Sequence, residues 1–380
     1  MRIERVLYLL VYVLRMREKE IVAVVRCKNY KQKEVDRAVW KILKLLDFPV
    51  NEYKNKKVLI KPNVVGLFNE NQEAIITNIN IVKSIAKRFD NSLIGESSFT
   101  NTEIALRKTG YLGLKNIVVF EEKKLVKLRD NKAKFLKNFF LPEIVKKADL
   151  IINVPKLKTH TLTKMTGAIK NLYGCIPGGL KQVYHRKAKG DEQFSNLLVD
   201  IYQNIKPGLN IMDAVIAMEG EGPTSGNPRK VGYLIGSKNA VALDIVASKI
   251  MGYNPEEILA IKEAEKRFGK LSIKVVGEKI KNLHFKKPLS YKKRIVRAMI
   301  KGLVEEKIVC DTKKCSKCGD CFKHCPVKAI SMNPYPEINT GKCIRCFCCI
   351  EICPTNAMHL EKSRKPLRFS GSLNSKENLR

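Results

Sequence analysis

Between residues 21 and 277, short runs of Val, Ile and Leu alternate with stretches whose apolar side chains recur every three or four positions. The runs at 21–27, 57–61, 92–96, 116–120, 149–154, 209–213, 231–236 and 272–276 predict strands. The periodic stretches at 33–46, 79–89, 102–112, 193–205, 239–251 and 255–267 predict helices. Most of the strand runs are apolar at every position, not at every second one, as in a sheet covered on both faces. Strands separated by helices build a parallel or mostly parallel sheet. The expected fold class is α/β, a mostly parallel sheet flanked by helices over residues 21–277.

Several runs stop in unusual polar groups. One ends in Lys61-Pro62-Asn63, another in Glu96-Ser97-Ser98, and a third in Lys156-Leu157-Lys158-Thr159-His160. The run around Ile211 reaches Asp213, and its continuation leads to Glu219. Ligands of open α/β sheets sit beyond the carboxyl ends of the strands, so these groups could converge on one crevice. Each could equally be an ordinary surface turn. Residues 163–176, TKMTGAIKNLYGCI, read as an amphipathic helix with Met165, Ile169, Leu172 and Ile176 in one stripe. Its other face carries Thr163, Gly167, Lys170, Asn171 and Gly174, although a glycine inside a helix costs roughly 1 kcal/mol. Something must approach that face closely, either another part of the protein or a small ligand.

The chain then changes character. Residues 278–308 read as a basic connector carrying one amphipathic helix, YKKRIVRAMIKGLVEE. Cys315, Cys318, Cys321 and Cys325 recur as Cys343, Cys346, Cys349 and Cys353 at a constant offset of 28. Pro326/Pro354, Ala329/Ala357, Thr312/Thr340 and Lys314/Lys342 keep the same offset, so the segment is an internal duplication. The spacing C-x2-C-x2-C-x3-C-P is that of two-cluster bacterial ferredoxins, in which the fourth cysteine of each run crosses to the other cluster. Carried over position by position, one [4Fe–4S] cluster takes Cys315, Cys318, Cys321 and Cys353. The other takes Cys343, Cys346, Cys349 and Cys325. Zinc sites show paired knuckles rather than four cysteines crowded twice into eleven residues, and disulfides require an oxidising compartment. Cys310 and Cys348 fall outside the ligand pattern and read as packing thiols beside the clusters, and Cys27 and Cys175 as buried small hydrophobes. A small α+β ferredoxin-like domain is expected at 309–361, followed by a disordered tail at 362–380.

Composition adds less. An apolar content of 44% over 380 residues supports two domains of ordinary size. The net charge of +35 would suit nucleic acid, but 54 of the cations are lysines against 18 arginines, with only five glutamines. Base and phosphate readers favour the bidentate fork of Arg, whereas Lys-rich, Gln-poor usage is a heat-adapted pattern. Nucleic acid is therefore disfavoured as a partner. The apolar run VLYLLVYVL at 6–14 is too short to span a bilayer, and no small-residue cleavage site follows it. Because the first strand begins at Ile21, Met16 is the expected start of the chain. The cluster chemistry points to a reducing cytoplasm.

The stretch NVPKLKTHTLTKMTGAIKNLYGCIPG at 153–178, with KPN at 61–63, DAVIAMEGEGPTSG at 213–226 and NAVALDIVASKIMG at 239–252, resembles the domain of unknown function 362 family. The likeness covers roughly residues 21–277. It implies an iron–sulfur protein of redox character, since members often carry a carboxy-terminal pair of [4Fe–4S] motifs, but it brings no agreed reaction. Three functions stay open. In the first, the clusters pass single electrons to a small anionic substrate or cofactor; Lys156, Lys158, His160 and Lys170 would bind its anionic group, and His185 or Glu96 would move protons. In the second, the chain is a carrier that docks on a redox partner protein. In the third, it assembles or delivers a metal or cofactor. No P-loop, GxGxxG after the first strand or GxSxG elbow is present in the sequence.

Overall fold

A computed structural model describes residues 19–66, 71–99, 101–288 and 304–364. The expectations about Met16, the segment 6–14 and the connector helix lie outside these residues. The main domain is built on strands β1 (Glu20–Arg26), β2 (Val58–Lys61), β3 (Leu93–Glu96) and β4 (Ile117–Val119), then the side hairpin β5 (Leu125–Arg129) and β6 (Asn138–Pro142). It continues through β7 (Leu150–Asn153), β8 (Lys156–His160), β9 (Lys164–Thr166), β10 (Leu209–Glu219), β11 (Asn227–Ser237) and β12 (Ile273–Gly277). The main sheet runs in the order β12-β1-β11-β10-β7-β2-β3-β4, with β8 and β9 attached beside β10. All of its pairings are parallel except β1–β11, β10–β11 and β8–β9. The fold class is therefore the α/β one that the apolar runs predict.

Continuous apolar strands feed two cores, one on each face. Val22, Val24, Leu59 and Ile151 pack with helices α5 (Gly190–Ile205), α6 (Ala240–Met251) and α7 (Leu259–Phe268). Ala23, Val25, Val58, Ile60, Leu150 and Ile152 point the other way, against α1 (Gln32–Leu45) and α2 (Ile79–Ala86). Neighbouring residues in one strand thus serve opposite layers, which is why the sequence shows no alternation. Two further helices, α3 (Thr102–Lys108) and α4 (Gly179–Lys187), flank the polar ends of the strands. Among the described residues, no helix is long and apolar enough to cross a membrane.

The segment 163–176 is not one helix. It is β9, a turn of helix at Ala168–Asn171 and a 3-10 turn at Leu172–Cys175. Its glycines have protein neighbours. A Cβ at Gly167 would come within 2.3 Å of the Asp244 carboxylate, and one at Gly174 within 2.5 Å of Lys61 Nζ and 2.8 Å of Glu96 Oε1. The close neighbours predicted from these glycines are therefore buried side chains of the same domain. Asp244 accepts hydrogen bonds from Ala168 N at 2.6 Å and Ile169 N at 3.0 Å, and so starts the short helix from outside it.

The cysteine-rich domain begins earlier and ends later than expected. Strand β13 (Val304–Cys310) pairs antiparallel with β16 (Met358–Arg364), and between them β14 (Ile330–Met332) pairs with β15 (Pro336–Ile338). The connector therefore gives way to strand at 304 rather than 309, and strand continues to 364 where a disordered tail was expected from 362. The connector's first part also packs on the main domain: Phe285 is buried and Lys286 N donates to Glu219 Oε2 at 3.0 Å. The duplication is visible in the backbone. Lys317/Arg345, Gly319/Phe347 and Lys328/Asn356 have matched positive φ values of 58°/54°, 76°/63° and 50°/53°. Helical turns follow at Asp320–Lys323 and Cys348–Glu351, again 28 residues apart.

Candidate functional site

The polar strand ends do converge, but they arrive buried and largely paired. Lys61 Nζ lies 2.7 Å from Glu96 Oε1, with both side chains almost fully excluded from solvent. Glu96 also accepts from the backbone N–H groups of Val64 and Ser97, at 2.8 Å each, yet burial still holds its carboxyl above the usual range. Lys156 Nζ lies 2.8 Å from Asp213 Oδ2, and both side chains are 0% exposed. Burial lowers the Lys156 pKa while Asp213 opposes the shift. Lys158 has no carboxylate in contact among the described residues. It donates to Asn63 Oδ1 at 3.0 Å and Ile75 O at 2.7 Å, and burial drives its pKa well down. An amide chain continues from it, Asn63 donating to Asn171, and Asn171 to Asn153, at 2.9 and 2.8 Å.

His160 stands at the end of β8, where the two domains meet. Its Nδ1 accepts from Leu162 N at 3.1 Å and Thr163 N at 3.3 Å, which leaves Nε2 to carry the proton. Nε2 lies 3.1 Å from Glu351 Oε1, on the second-repeat helix of the cysteine domain. Burial, reinforced by Lys170, pushes His160 down to about 4, so its ring is neutral at pH 7. Burial alone would raise Glu351, but His160 and Lys170 pull its carboxyl down to about 2. Leu162 packs against the cysteine-domain core, and Ser225 Oγ donates to Asn356 Oδ1 at 2.9 Å. His185, on α4, is buried against Phe194 and lies beside Cys346 and Cys348. Of the sequence-predicted site residues, His160, Lys170 and His185 therefore meet at the junction. Lys156 and Glu96 are held in internal ion pairs, away from any open crevice.

One of the two crossed sets of cysteines gathers around a single cavity. It is lined by Cys315, Cys318, Cys321 and Cys353, the far set. Cys349 is in electrostatic range of Cys346, Cys343 and Cys325, the near set, and also of Cys321 from the far one. Burial first, then Cys353 and Cys318, pushes the Cys321 thiol up to about 11. Thiols crowded this way become thiolates by binding metal cations, which suits iron. Each crossing cysteine already has a donor in place: Ala329 N to Cys325 Sγ and Ala357 N to Cys353 Sγ, both at 3.2 Å. The residues present therefore fit [4Fe–4S] ligation. Burial pushes Cys27 and Cys175 up to about 12, as inert core thiols.

Beside Cys325, α4 and the first-repeat helix border a groove of about 410 Å³, within the usual range for ligand sites. Arg186, Lys323 and Lys328 line it, over Val183, Pro326 and Ile330. Sequence reasoning missed this groove, and it missed Glu351 and Lys181. Lys181 donates to Ser97 O and Ser97 Oγ, and burial lowers it to about 8. A signal for Glu351 does exist within the duplication. Asp320, Phe322, Lys323 and His324 correspond to Cys348, Ile350, Glu351 and Ile352, all four of which are buried.

Comparison with known proteins agrees with both halves of this architecture. The family described as Domain of unknown function (DUF362) matches residues 58–249, and the 4Fe-4S dicluster domain matches 314–365. A thylakoid-associated protein of Synechocystis is 33% identical over 224 residues, covering 56% of this chain and 68% of that protein. The fold also resembles the lactate racemase apoprotein of Thermoanaerobacterium thermosaccharolyticum, with 11% identity and a TM-score of 0.39 over 64% of this chain and 58% of that one. A protein of Thermotoga maritima gives 12% identity and a TM-score of 0.36 over 62% and 59%. The chain thus spans about three fifths of the length of these two solved structures. The carboxy-terminal segment is a 4Fe-4S ferredoxin-type domain, of the kind used in iron–sulfur electron transfer.

Proposed function

Because the chain belongs to the DUF362 family and ends in a ferredoxin-type domain, we propose that it is an iron–sulfur oxidoreductase with two [4Fe–4S] clusters serving a small anionic acceptor on the α/β domain. When bound, the clusters would supply one-electron chemistry between a reductant protein and an acceptor. Cys315, Cys318, Cys321 and Cys353 hold the far cluster, and Cys325, Cys343, Cys346 and Cys349 the near one. The observation that carries this reading is the asymmetry of docking. His160 meets Glu351 at 3.1 Å, so the second repeat is seated on the strand ends, while Cys318 of the first stays exposed. A reductant protein can reach the Cys318 side. Of the near ligands, Cys349 is buried and Cys325, Cys343 and Cys346 are partly covered, with His185 of α4 beside Cys346.

The acceptor site is the groove beside Cys325, where α4 of the α/β domain faces the cysteine domain. Arg186, Lys323 and Lys328 would hold an anionic group such as a carboxylate or phosphate, and Val183, Pro326 and Ile330 would exclude water from beneath it. Pairing of Lys156 with Asp213 argues against an anion at the strand ends themselves. His185 is placed to order the near ligand set, and reduced clusters of this type suit a reducing cytoplasm. Protein purified anaerobically should carry about eight irons and eight sulfides per chain, as two four-iron cubes require. Mass spectrometry of the released small molecules should find an anion that Arg186→Ser loses at unchanged iron content. Full iron content with no such anion in the wild type would instead favour a carrier that docks on a partner protein.

A further inference from the structure

The junction leaves one lysine without a direct partner among the described residues. Lys170 is partly buried and makes no hydrogen bond or ion pair among the described residues. It lies in electrostatic range of Glu351 and Cys348, both on the second-repeat helix, and Glu351 Oε1 lies 3.1 Å from Nε2 of the neutral His160 ring. Two other features lie at the same junction. A ring nitrogen of His185 and the sulfurs of Cys346 and Cys348 lie within 4.8 Å of one another. His185 Nδ1 is buried without a hydrogen-bond partner among the described residues, and stacking on Phe194, with ring centroids 4.3 Å apart, holds the ring there. Buried donors and cations left unmatched are costly, so this arrangement calls for an anionic acceptor. A separate metal ion on His185, Cys346 and Cys348 would add positive charge beside Lys170 and Lys158, which like-charge repulsion disfavours.

Resting on the ligand assignment proposed above, we propose that Lys170, His185 and Cys348 form an outer shell around the Cys346 thiolate. This shell raises the reduction potential of the near cluster above that of the far one. A single electron shared by the two then comes to rest beside the α/β domain. Reduction adds one negative charge, and hydrogen-bond donors and a facing cation favour it. Burial by itself disfavours that charge, and the shell offsets the penalty. The duplication supplies the contrast. Cys318, the counterpart of Cys346, is exposed, and the position of Cys348 is taken in the first repeat by Asp320, a carboxylate that repels added negative charge. The electron comes from a one-electron reductant protein, and no bond is made or broken.

The test is an anaerobic potentiometric titration, with the reduced clusters followed by electron paramagnetic resonance after iron and sulfide have been counted. A wild type without about eight irons would defeat the ligand assignment, and this inference with it, before any potential is read. At full iron, Lys170→Met should shift the shared electron toward the far cluster at least tenfold, which is 59 mV for a one-electron couple. Cys348→Ala and His185→Phe should each shift it in the same direction, and Lys170→Arg should restore the wild-type partition. If Lys170→Met loads poorly, Lys170→Gln and Cys348→Ala give the same readout. Unchanged midpoints in all loaded variants would overturn the inference. So would a stoichiometric metal beyond the iron that Cys348→Ala removes.

Discussion

Asp213→Ala should cost more stability than Lys156→Met, although both break the same buried pair. Asp213 receives four donors: Lys156 Nζ at 2.8 Å, Tyr30 Oη at 2.9 Å, Asn78 N at 3.0 Å and Val215 N at 3.2 Å. Without Lys156 the carboxylate keeps three of them. Without Asp213, Lys156 keeps only the Tyr30 hydroxyl, at 2.8 Å, and the amides of Asn78 and Val215 lose their acceptor. Removing one partner of a buried pair costs about 3–5 kcal/mol, and Asp213→Ala belongs at or above the top of that range. Three retained donors place Lys156→Met near or below its bottom. At roughly 2–4 °C per kcal/mol for a domain of 150–250 residues, the expected drops in Tm are about 10–20 °C and about 4–12 °C. Thermal unfolding under anaerobic conditions measures them, with the visible absorption of the clusters recorded alongside. The double variant Lys156→Met/Asp213→Leu should be no worse than Asp213→Ala alone, since the stranded charge is gone. Equal Tm values for wild type and Asp213→Ala, or a larger loss in Lys156→Met, would refute the reasoning.

Cys353→Ser should damage the cluster whose other ligands are Cys315, Cys318 and Cys321 despite the distance in sequence; loss confined to the Cys343–Cys349 side would contradict the crossed assignment. Gly174→Ala should destabilise by about 1–3 kcal/mol, because its Cβ would meet the Lys61–Glu96 pair. Gly179→Ala, with nothing within 4 Å, should stay within about 0.5 kcal/mol, so equal effects in chemical denaturation would count against the packing argument. Asp244 gives a pH signature. Burial raises its carboxyl to about 7, against the amides of Ile169 and Ala168. A carboxyl raised in the folded state binds its proton more tightly there, so the stability it contributes is complete below about pH 4 and is lost as the pH rises through 7. In Asp244→Asn this downward slope between about pH 4 and 7 should flatten, and an unaltered profile of Tm against pH would exclude the assignment.

The layers of the fold were legible because a sheet buried on both faces leaves uninterrupted apolar runs, and here it left one for most of the eight predicted strands. The duplicated cysteines were equally plain, since thiolate spacing is a local property. The region 163–176 was misread for a physical reason. Its apolar spacing satisfies a helix, but Gly167 and Gly174 are set by Asp244, Lys61 and Glu96, which lie far off in sequence. The same limit applies to the lysines. A strand-end Lys looks alike whether it awaits a ligand or Asp213, and only tertiary pairing separates the two cases. Glu351 was within reach, because the two repeats differ in character at the positions where one of them is buried.

The strand pairing of the cysteine domain also bears on the protein's maturation. Among the described residues this domain pairs its strands only within itself, β13 with β16 and β14 with β15, so it can close around its own metal before the larger domain is engaged. With Glu351 at His160, Cys349 and Cys353 are buried, but Cys325, Cys343 and Cys346 are only partly covered and Cys318 is exposed. Both ligand sets thus keep thiols within reach of delivery proteins after docking, and biogenesis can fill the metallocentre before or after the two domains meet.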